Sequence, residues 1–279
     1  MNSFRLLAAL AVTVAVAVGS TLAWAGTGDG LVSVPKRQPV EIAVVLDTEE
    51  PLASLFTAGI RNAINMAVAE NPTVRGFPIQ VNESSGPCFG RDAVALNAAA
   101  AQAVVANPQN VAVIGHICSF AMANTVFPFD GDCAPLTNDG ALSALSIYET
   151  RGLVTINGST TNPCLPLVGP TVFNGTYVPD TEDPLWYDKV QAVANNVAWR
   201  TAYATRFGVP ASDFADTYYD ATKLLLDRLS KASKIKNGNL VIDRATLAAA
   251  VRSTTNFCGA TGKLSLDSGG FRIDSPHSC

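Results

Sequence analysis

Val111-Ala112-Val113-Ile114-Gly115-His116-Ile117-Cys118-Ser119 is the stretch on which the reading of this chain turns. Val111 to Gly115 is an apolar run that reads as a strand. The chain then turns polar, and Ser119 stands where a helix is expected to begin. Toward the N-terminus, Asp92 to Ala106 is an Ala-rich helical run ended by Asn107-Pro108, and Pro78 to Val81 is a short strand. Before them, Pro51 to Asn71 places Leu52, Leu55, Phe56, Ala63, Ile64, Ala67 and Val68 at helical spacing and stops at Asn71-Pro72. Val40 to Leu46 is a mostly β-branched apolar run except for Glu41, the mark of a strand buried on both faces. Toward the C-terminus, a helical stretch at Ala141 to Thr150 leads into a strand at Leu153 to Ile156. This alternation predicts an α/β fold: a doubly wound parallel sheet flanked by helices, with strand order 2-1-3-4-5.

After residue 180 the pattern becomes helical, with Asp183 to Phe207 and Asp213 to Ser233 as two long segments and Asp213 as an N-cap. Leu240 to Ile242 is extended, and Asp243 caps Arg244 to Ser253. Lys263 to Leu266 and Phe271 to Ile273, joined by Ser268-Gly269-Gly270, read as a hairpin. Phe127 to Pro135 reads as a surface loop, because Pro and Gly break both periods.

At the N-terminus, Arg5, the small-apolar run Leu6 to Val18 and the small-x-small site Ala23-Trp24-Ala25 have the layout of a secretory signal peptide. The run falls short of the roughly 20 residues of a membrane-spanning helix. Residues 1–25 are therefore expected to be removed, 26–39 to form a flexible leader, 40–257 an α/β ligand-binding lobe, and 258–279 a hairpin and Cys-containing tail. The product is expected in the periplasm or outside the cell, as a soluble monomer. A hydrophobic fraction of 48% against 15% charged residues predicts a large core, and a net charge of −4 argues against nucleic acid as a partner. Six cysteines (Cys88, Cys118, Cys133, Cys164, Cys258, Cys279) in an exported chain read as disulfides, since none forms a C-x-x-C pair and His116 and His277 lie apart from them. No metal and no cofactor is expected.

Ser119, at a strand-to-helix turn on the carboxyl edge of the sheet, is placed to bind an anion such as a carboxylate, or simply to cap its own helix. Thr155-Ile156-Asn157-Gly158-Ser159-Thr160-Thr161-Asn162-Pro163, again directly after a strand, offers Ser159, Thr160 and Thr161 beside it, or is an ordinary loop before a proline. His116 has no Ser or Asp partner at a motif spacing and reads as a core residue. Asp47, Glu49 and Glu50 read as a solvated helix start, and Asp183, Trp186 and Tyr187 as helix packing. No Gly-x-Ser-x-Gly, P-loop or dinucleotide fingerprint is present, so no enzyme and no catalytic residue is predicted.

The Gly115-to-Ser119 motif and the Ser/Thr loop before Pro163 resemble the first lobe of the leucine/isoleucine/valine-binding proteins of ABC transporters, which have the type I solute-binding fold. Asp213 to Leu226, with Tyr219-Asp220-Ala221 at its centre, and Phe257-Cys258-Gly259-Ala260-Thr261-Gly262 resemble later parts of that family. The resemblance covers nearly all of residues 40–274. It implies that the Ser119 hydroxyl binds a ligand α-carboxylate, that Ser159 offers backbone groups, that Thr161 bridges carboxylate and ammonium, and that Cys88 pairs with Cys118. Cys133–Cys164 and Cys258–Cys279 are further expected pairs, because each joins loop or tail segments that the fold could bring together. The implied partners are a small amino acid and an ABC transporter permease.

The chain also departs from the family. Thr171 to Asn174 resembles the first crossing out of lobe one, and Gly175 to Pro179 directly after it resembles the crossing back. The body of lobe two, several βαβ units of about 30 residues each, is missing from between them, and with it the acidic residue for a ligand ammonium. A ligand-sensing or interaction module, or a single-lobe remnant without transport activity, is the alternative function.

Overall fold

The computed structural model describes residues 30–118, 143–159, 165, 170–177 and 196–273. In chain order these form β1 (Leu31–Val34), β2 (Val40–Leu46), a π-helical turn (Ala53–Thr57), α1 (Ala58–Glu70), β3 (Thr73–Val74), β4 (Phe77–Ser85), α2 (Ala93–Ala106), β5 (Asn110–Gly115), α3 (Ala144–Glu149), β6 (Val154–Asn157) and β7 (Val172–Tyr177). The remainder is α4 (Val197–Phe207), α5 (Ala215–Ala232), β8 (Lys234–Lys236), β9 (Asn239–Asp243), α6 (Arg244–Arg252), β10 (Phe257–Gly259), β11 (Gly262–Leu264) and β12 (Phe271–Arg272).

β2 lies inside a seven-stranded sheet of order β12-β7-β6-β5-β2-β4-β3. It pairs in parallel with β4 on one side and β5 on the other. The run β4-β2-β5-β6-β7 is the expected 2-1-3-4-5 order. Side chains of β2 alternate between two cores. Ile42, Val44 and Leu46 pack with Ile60 and Ile64 of α1, Leu224 and Leu225 of α5, and Leu247 and Val251 of α6. Ala43 and Val45 face the other way, against Ala100, Ala101 and Val104 of α2 and Leu145 and Tyr148 of α3. With both faces covered, a strand without polar side chains is what burial demands. Outside α1 a further cluster joins Ala63 and Met66 to Trp199 and Tyr203 of α4.

Several expectations are corrected. Within the stretch read as a flexible leader, Leu31–Val34 pairs antiparallel with β9, Leu31 opposite Asp243 and Val34 opposite Leu240, burying Val32 and Val34. Asp213 does not cap α5: Phe214 precedes the helix at φ 62, and the Asp216 carboxylate accepts from Thr217 N instead. Asp243 does cap α6, accepting from the N–H groups of Ala245 and Thr246. The terminal hairpin shrinks to the bridge Leu266–Arg272. Lys263 and Leu264 pair with Cys258 and Phe257, while Phe271–Arg272 adds a parallel edge strand to β7. Local alternation pointed to the nearest partner in sequence, whereas the exposed edge of β7 had to be covered. Of Asp183 to Phe207 only the final part is described, and Asp183, Trp186 and Tyr187 lie outside the described residues, as do the signal segment and the Phe127 to Pro135 loop.

β7 runs without interruption through Asn174-Gly175, the junction of the expected outgoing and returning crossings. Among the described residues every parallel strand pairing belongs to the one seven-stranded sheet, and no described helix is long and apolar enough to cross a membrane.

Cys88 and Cys118 form a disulfide, with Cα atoms 5.4 Å apart and 30 residues between them in sequence. It ties the turn after β4 to the turn after β5. Cys258 is also disulfide-bonded, while Cys133, Cys164 and Cys279 lie outside the described residues. Closing a loop of this length contributes about 3–4 kcal/mol in the chain-entropy account. The double variant Cys88→Ala/Cys118→Ala is expected to lose that much in urea unfolding followed by circular dichroism; a loss below 1 kcal/mol would show that the bridge constrains little.

Candidate functional site at the carboxyl edge of the sheet

The strands β2, β4, β5 and β6 all end at one edge, and each turn that leaves it is fixed by buried polar contacts. After β2, Asp47 is 2% exposed. Its carboxylate accepts from Glu49 N at 2.8 Å and Cys88 N at 2.7 Å, and its carbonyl takes the Thr57 hydroxyl. Asp47 is therefore a buried clasp between two turns, and only Glu49 and Glu50 sit in the solvated start that all three were expected to form.

After β5, Gly115 has φ 118, and a Cβ there would meet the Val45 carbonyl oxygen at 2.2 Å, so only glycine fits. His116 follows, 1% exposed. The Asn97 amide nitrogen donates to the carbonyls of Pro87 and Ala93, both at 2.8 Å, which leaves its oxygen to accept from His116 Nδ1. His116 Nε2 then accepts from the Tyr148 hydroxyl at 2.9 Å. The ring is the neutral Nδ1–H tautomer, and burial pushes its pKa down to about 3. With both nitrogens engaged it is a structural histidine rather than a base.

The His116 carbonyl accepts from Asn157 Nδ2 and from the Tyr218 hydroxyl, the latter at 3.0 Å. The next carbonyl, that of Ile117, accepts from Ser159 Oγ at 2.7 Å. Ser159 N donates to Asn157 Oδ1 at 2.9 Å, a local turn of the Asx kind. Ser159 Oγ lies 3.0 Å from the Tyr218 hydroxyl, and the Thr217 hydroxyl donates to the Gly158 carbonyl. A Cβ at Gly158 would meet Tyr218 Cδ2 at 2.8 Å, so this close approach to α5 requires glycine.

Of the residues expected to bind a ligand, Ser159 is thus described and 7% exposed. Its N–H and hydroxyl are both engaged within the protein, and no described hydrogen bond uses its carbonyl. Ser119, Thr160 and Thr161 lie outside the described residues, each one or two positions beyond a described end of the chain (Cys118 or Ser159). Asn97, Tyr148, Asn157 and Tyr218, which hold these turns, were not singled out from the sequence. Asn157-Gly158-Ser159 carried a turn signal that could have found the first contact, but nothing local pointed to Tyr218. Among the described residues no group of three His, Cys, Asp or Glu side chains is placed to hold a metal ion.

The depressed His116 pKa has a readable sign. Between its ordinary 6.5 and about 3 the unfolded chain binds a proton that the folded one refuses, so stability falls on acidification by about 1.4 kcal/mol per pH unit. Asp220 opposes this. Burial raises it from 3.8 to about 6, so the folded state holds an extra proton between those values. The His116→Gln variant isolates the histidine: relative to wild type, its urea midpoint is expected to rise as pH drops from 6.5 to 4.5. Parallel pH profiles for the two proteins would contradict the assignment.

No protein-family model matches the chain, and no curated protein matches it in sequence. Solved structures do match in shape. A Rhodospirillum rubrum protein named as a branched-chain amino acid ABC transporter superposes with TM-score 0.63 at 14% identity, over 82% of this chain and 93% of the other. The leucine binding protein LivK of Thermotoga maritima gives 0.59 at 16%, over 84% and 93%. The substrate binding protein LivJ of Streptococcus pneumoniae, in complex with isoleucine, gives 0.60 at 13%, over 84% and 94%. Identities this low establish architecture, and the chain has the fold of the substrate-binding proteins of branched-chain amino acid ABC transporters.

Proposed function

We propose that this chain is an exported, non-enzymatic solute-binding protein that holds a small branched-chain-like amino acid or related carboxylate at the carboxyl edge of its sheet. The observation that carries the reading is the 2.7 Å bond from Ser159 Oγ to the Ile117 carbonyl. It locks side by side the two turns that lead on to Ser119 and to Thr160 and Thr161. In this reading the Ser119 hydroxyl binds the carboxylate, Thr161 bridges carboxylate and ammonium, Ser159 offers backbone groups, and Thr160 belongs to the same half-site. The edge of an open parallel sheet is where such ligands bind. His116, buried and engaged at both nitrogens, supplies no general base. An ABC transporter permease is the partner this function needs, and the periplasm or cell exterior its place.

A second reading is a single-lobe sensing or interaction module. It is favoured by the single parallel sheet among the described residues, because transport by this fold relies on two lobes closing over the ligand. Either way the half-site leaves one side of a ligand open and forfeits apolar burial at roughly 25 cal/mol per Å². Isothermal calorimetry of the purified protein with leucine, isoleucine, valine and 3,4-dihydroxybenzoate, the last being the ligand in a similarly folded Rhodopseudomonas palustris solute binding protein, tests the reading. Millimolar binding of an amino acid is expected, and Ser119→Ala is expected to weaken it by about 1.5–3 kcal/mol. Leucine binding that is unchanged in Ser119→Ala, or absent at tens of millimolar, would overturn the carboxylate role.

A further inference from the structure

At the opposite, amino edge of the sheet a concavity of about 750 Å³ opens between the starts of β6 and β7, the end of α2 and one face of α6. Its walls are apolar at Leu31, Val105, Leu153 and Ala249. Three arginines, Arg151, Arg244 and Arg252, line it together, and among the described residues no acidic side chain does.

Arg244 is only 9% exposed. Its guanidinium donates to the carbonyls of Asn110 at 2.7 Å, Pro108 at 3.1 Å and Arg151 at 3.4 Å, and its Nε is buried with no partner. Arg252 donates to the carbonyls of Ser268 and Pro170 and lies 4.9 Å over the Phe173 ring. Arg151 is exposed. Two carboxylates stand nearby but are turned elsewhere. Glu149 accepts from the N–H and hydroxyl of Thr171, and Asp243 caps α6. Among the described residues neither forms an ion pair with any of the three arginines.

Carbonyl oxygens satisfy guanidinium N–H groups without cancelling their charge, and a buried charge without a counter-charge is costly. Burial lowers the pKa of Arg244, and the Arg151 charge pushes in the same direction. A concavity of this size falls in the range of small-molecule sites, with apolar walls and a few convergent polar groups. Guanidinium groups match carboxylates in a forked, two-bond geometry.

We propose that this groove is a second ligand site, for a small organic carboxylate with an apolar body, at the amino edge of the sheet. The carboxylate supplies the counter-charge that Arg151 and Arg244 lack among the described residues, and the hydrocarbon lies along Leu31, Val105 and Ala249.

The test uses hexanoate and its neutral analogue hexanamide, titrated into the full chain by calorimetry and by thermal shift. Hexanoate is expected to bind and to raise the melting temperature, and hexanamide to do neither. Arg244→Met removes the buried cation and could unfold the protein, so two surface variants carry the proposal. Arg151→Gln removes an exposed charge, and Ala249→Phe fills the groove without altering any side-chain hydrogen bond. Each is expected to weaken hexanoate about tenfold or more, with the ligand-free melting temperature unchanged. Absence of hexanoate binding, equal binding of the amide, or full affinity in both variants would each overturn the assignment.

Discussion

The carbonyl oxygen of His116 sits one residue beyond the end of β5, inside the protein, where a backbone acceptor has to be matched. It receives the Asn157 amide from the end of β6 and the Tyr218 hydroxyl from α5, which is 102 residues away in sequence. One acceptor thus sets the spacing of two strand ends and the height of a helix above them. The neighbouring contacts depend on that spacing. Ser159 reaches the Ile117 carbonyl because Asn157 has turned the chain, and the ring of His116 meets Asn97 and Tyr148 from a backbone whose carbonyl is held by Asn157 and Tyr218. Glycine at 115 and at 158 completes the constraint, since a side chain at either would strike backbone or the Tyr218 ring.

Much of the central sheet was legible. β2 and β5 are runs without polar faces because both of their faces are covered, and the Ala-rich α2 betrays close packing on Ala43 and Val45. The Asp243 cap could be read because a cap acts within three residues. Asp213 misled for a related reason: the left-handed Phe214 stands between it and the helix, whose start has no side-chain cap. The strand at Leu31–Val34 was hidden because its partner β9 lies more than two hundred residues later. At the site, the Asn-Gly-Ser turn was visible. The engagement of the Ser159 donors was not, since it depends on Tyr218 arriving from another element.

The two later segments that carried the family resemblance prove to touch. Asp220 of α5 accepts from the N–H groups of Ala260 and Thr261 at 2.5 and 2.8 Å and from the Thr261 hydroxyl. A Cβ at Gly259 would meet that carboxylate at 2.3 Å. Arg272 donates to Thr261 Oγ1 at 2.7 Å, which links β12 to the same knot. The Tyr219-Asp220-Ala221 core and the Cys258-Gly259-Ala260-Thr261 turn are two halves of one buried polar joint, so their joint presence in the sequence follows from chemistry that neither half supplies alone.

The pairing of β1 with β9, and of β12 with β7, gives the topology a direction in time. A polypeptide that emerges N-terminus first presents β1, β2 and the start of the sheet while the strands that must flank or seal them are still unmade. Leu31 waits for Asp243, and the outer edge of β7 waits for Phe271. Contacts so distant in sequence are closed late and slowly. Until the tail arrives, the nascent molecule has an open sheet edge and an unpaired first strand. The pairings that close the sheets therefore come late in synthesis, with β9 and β12.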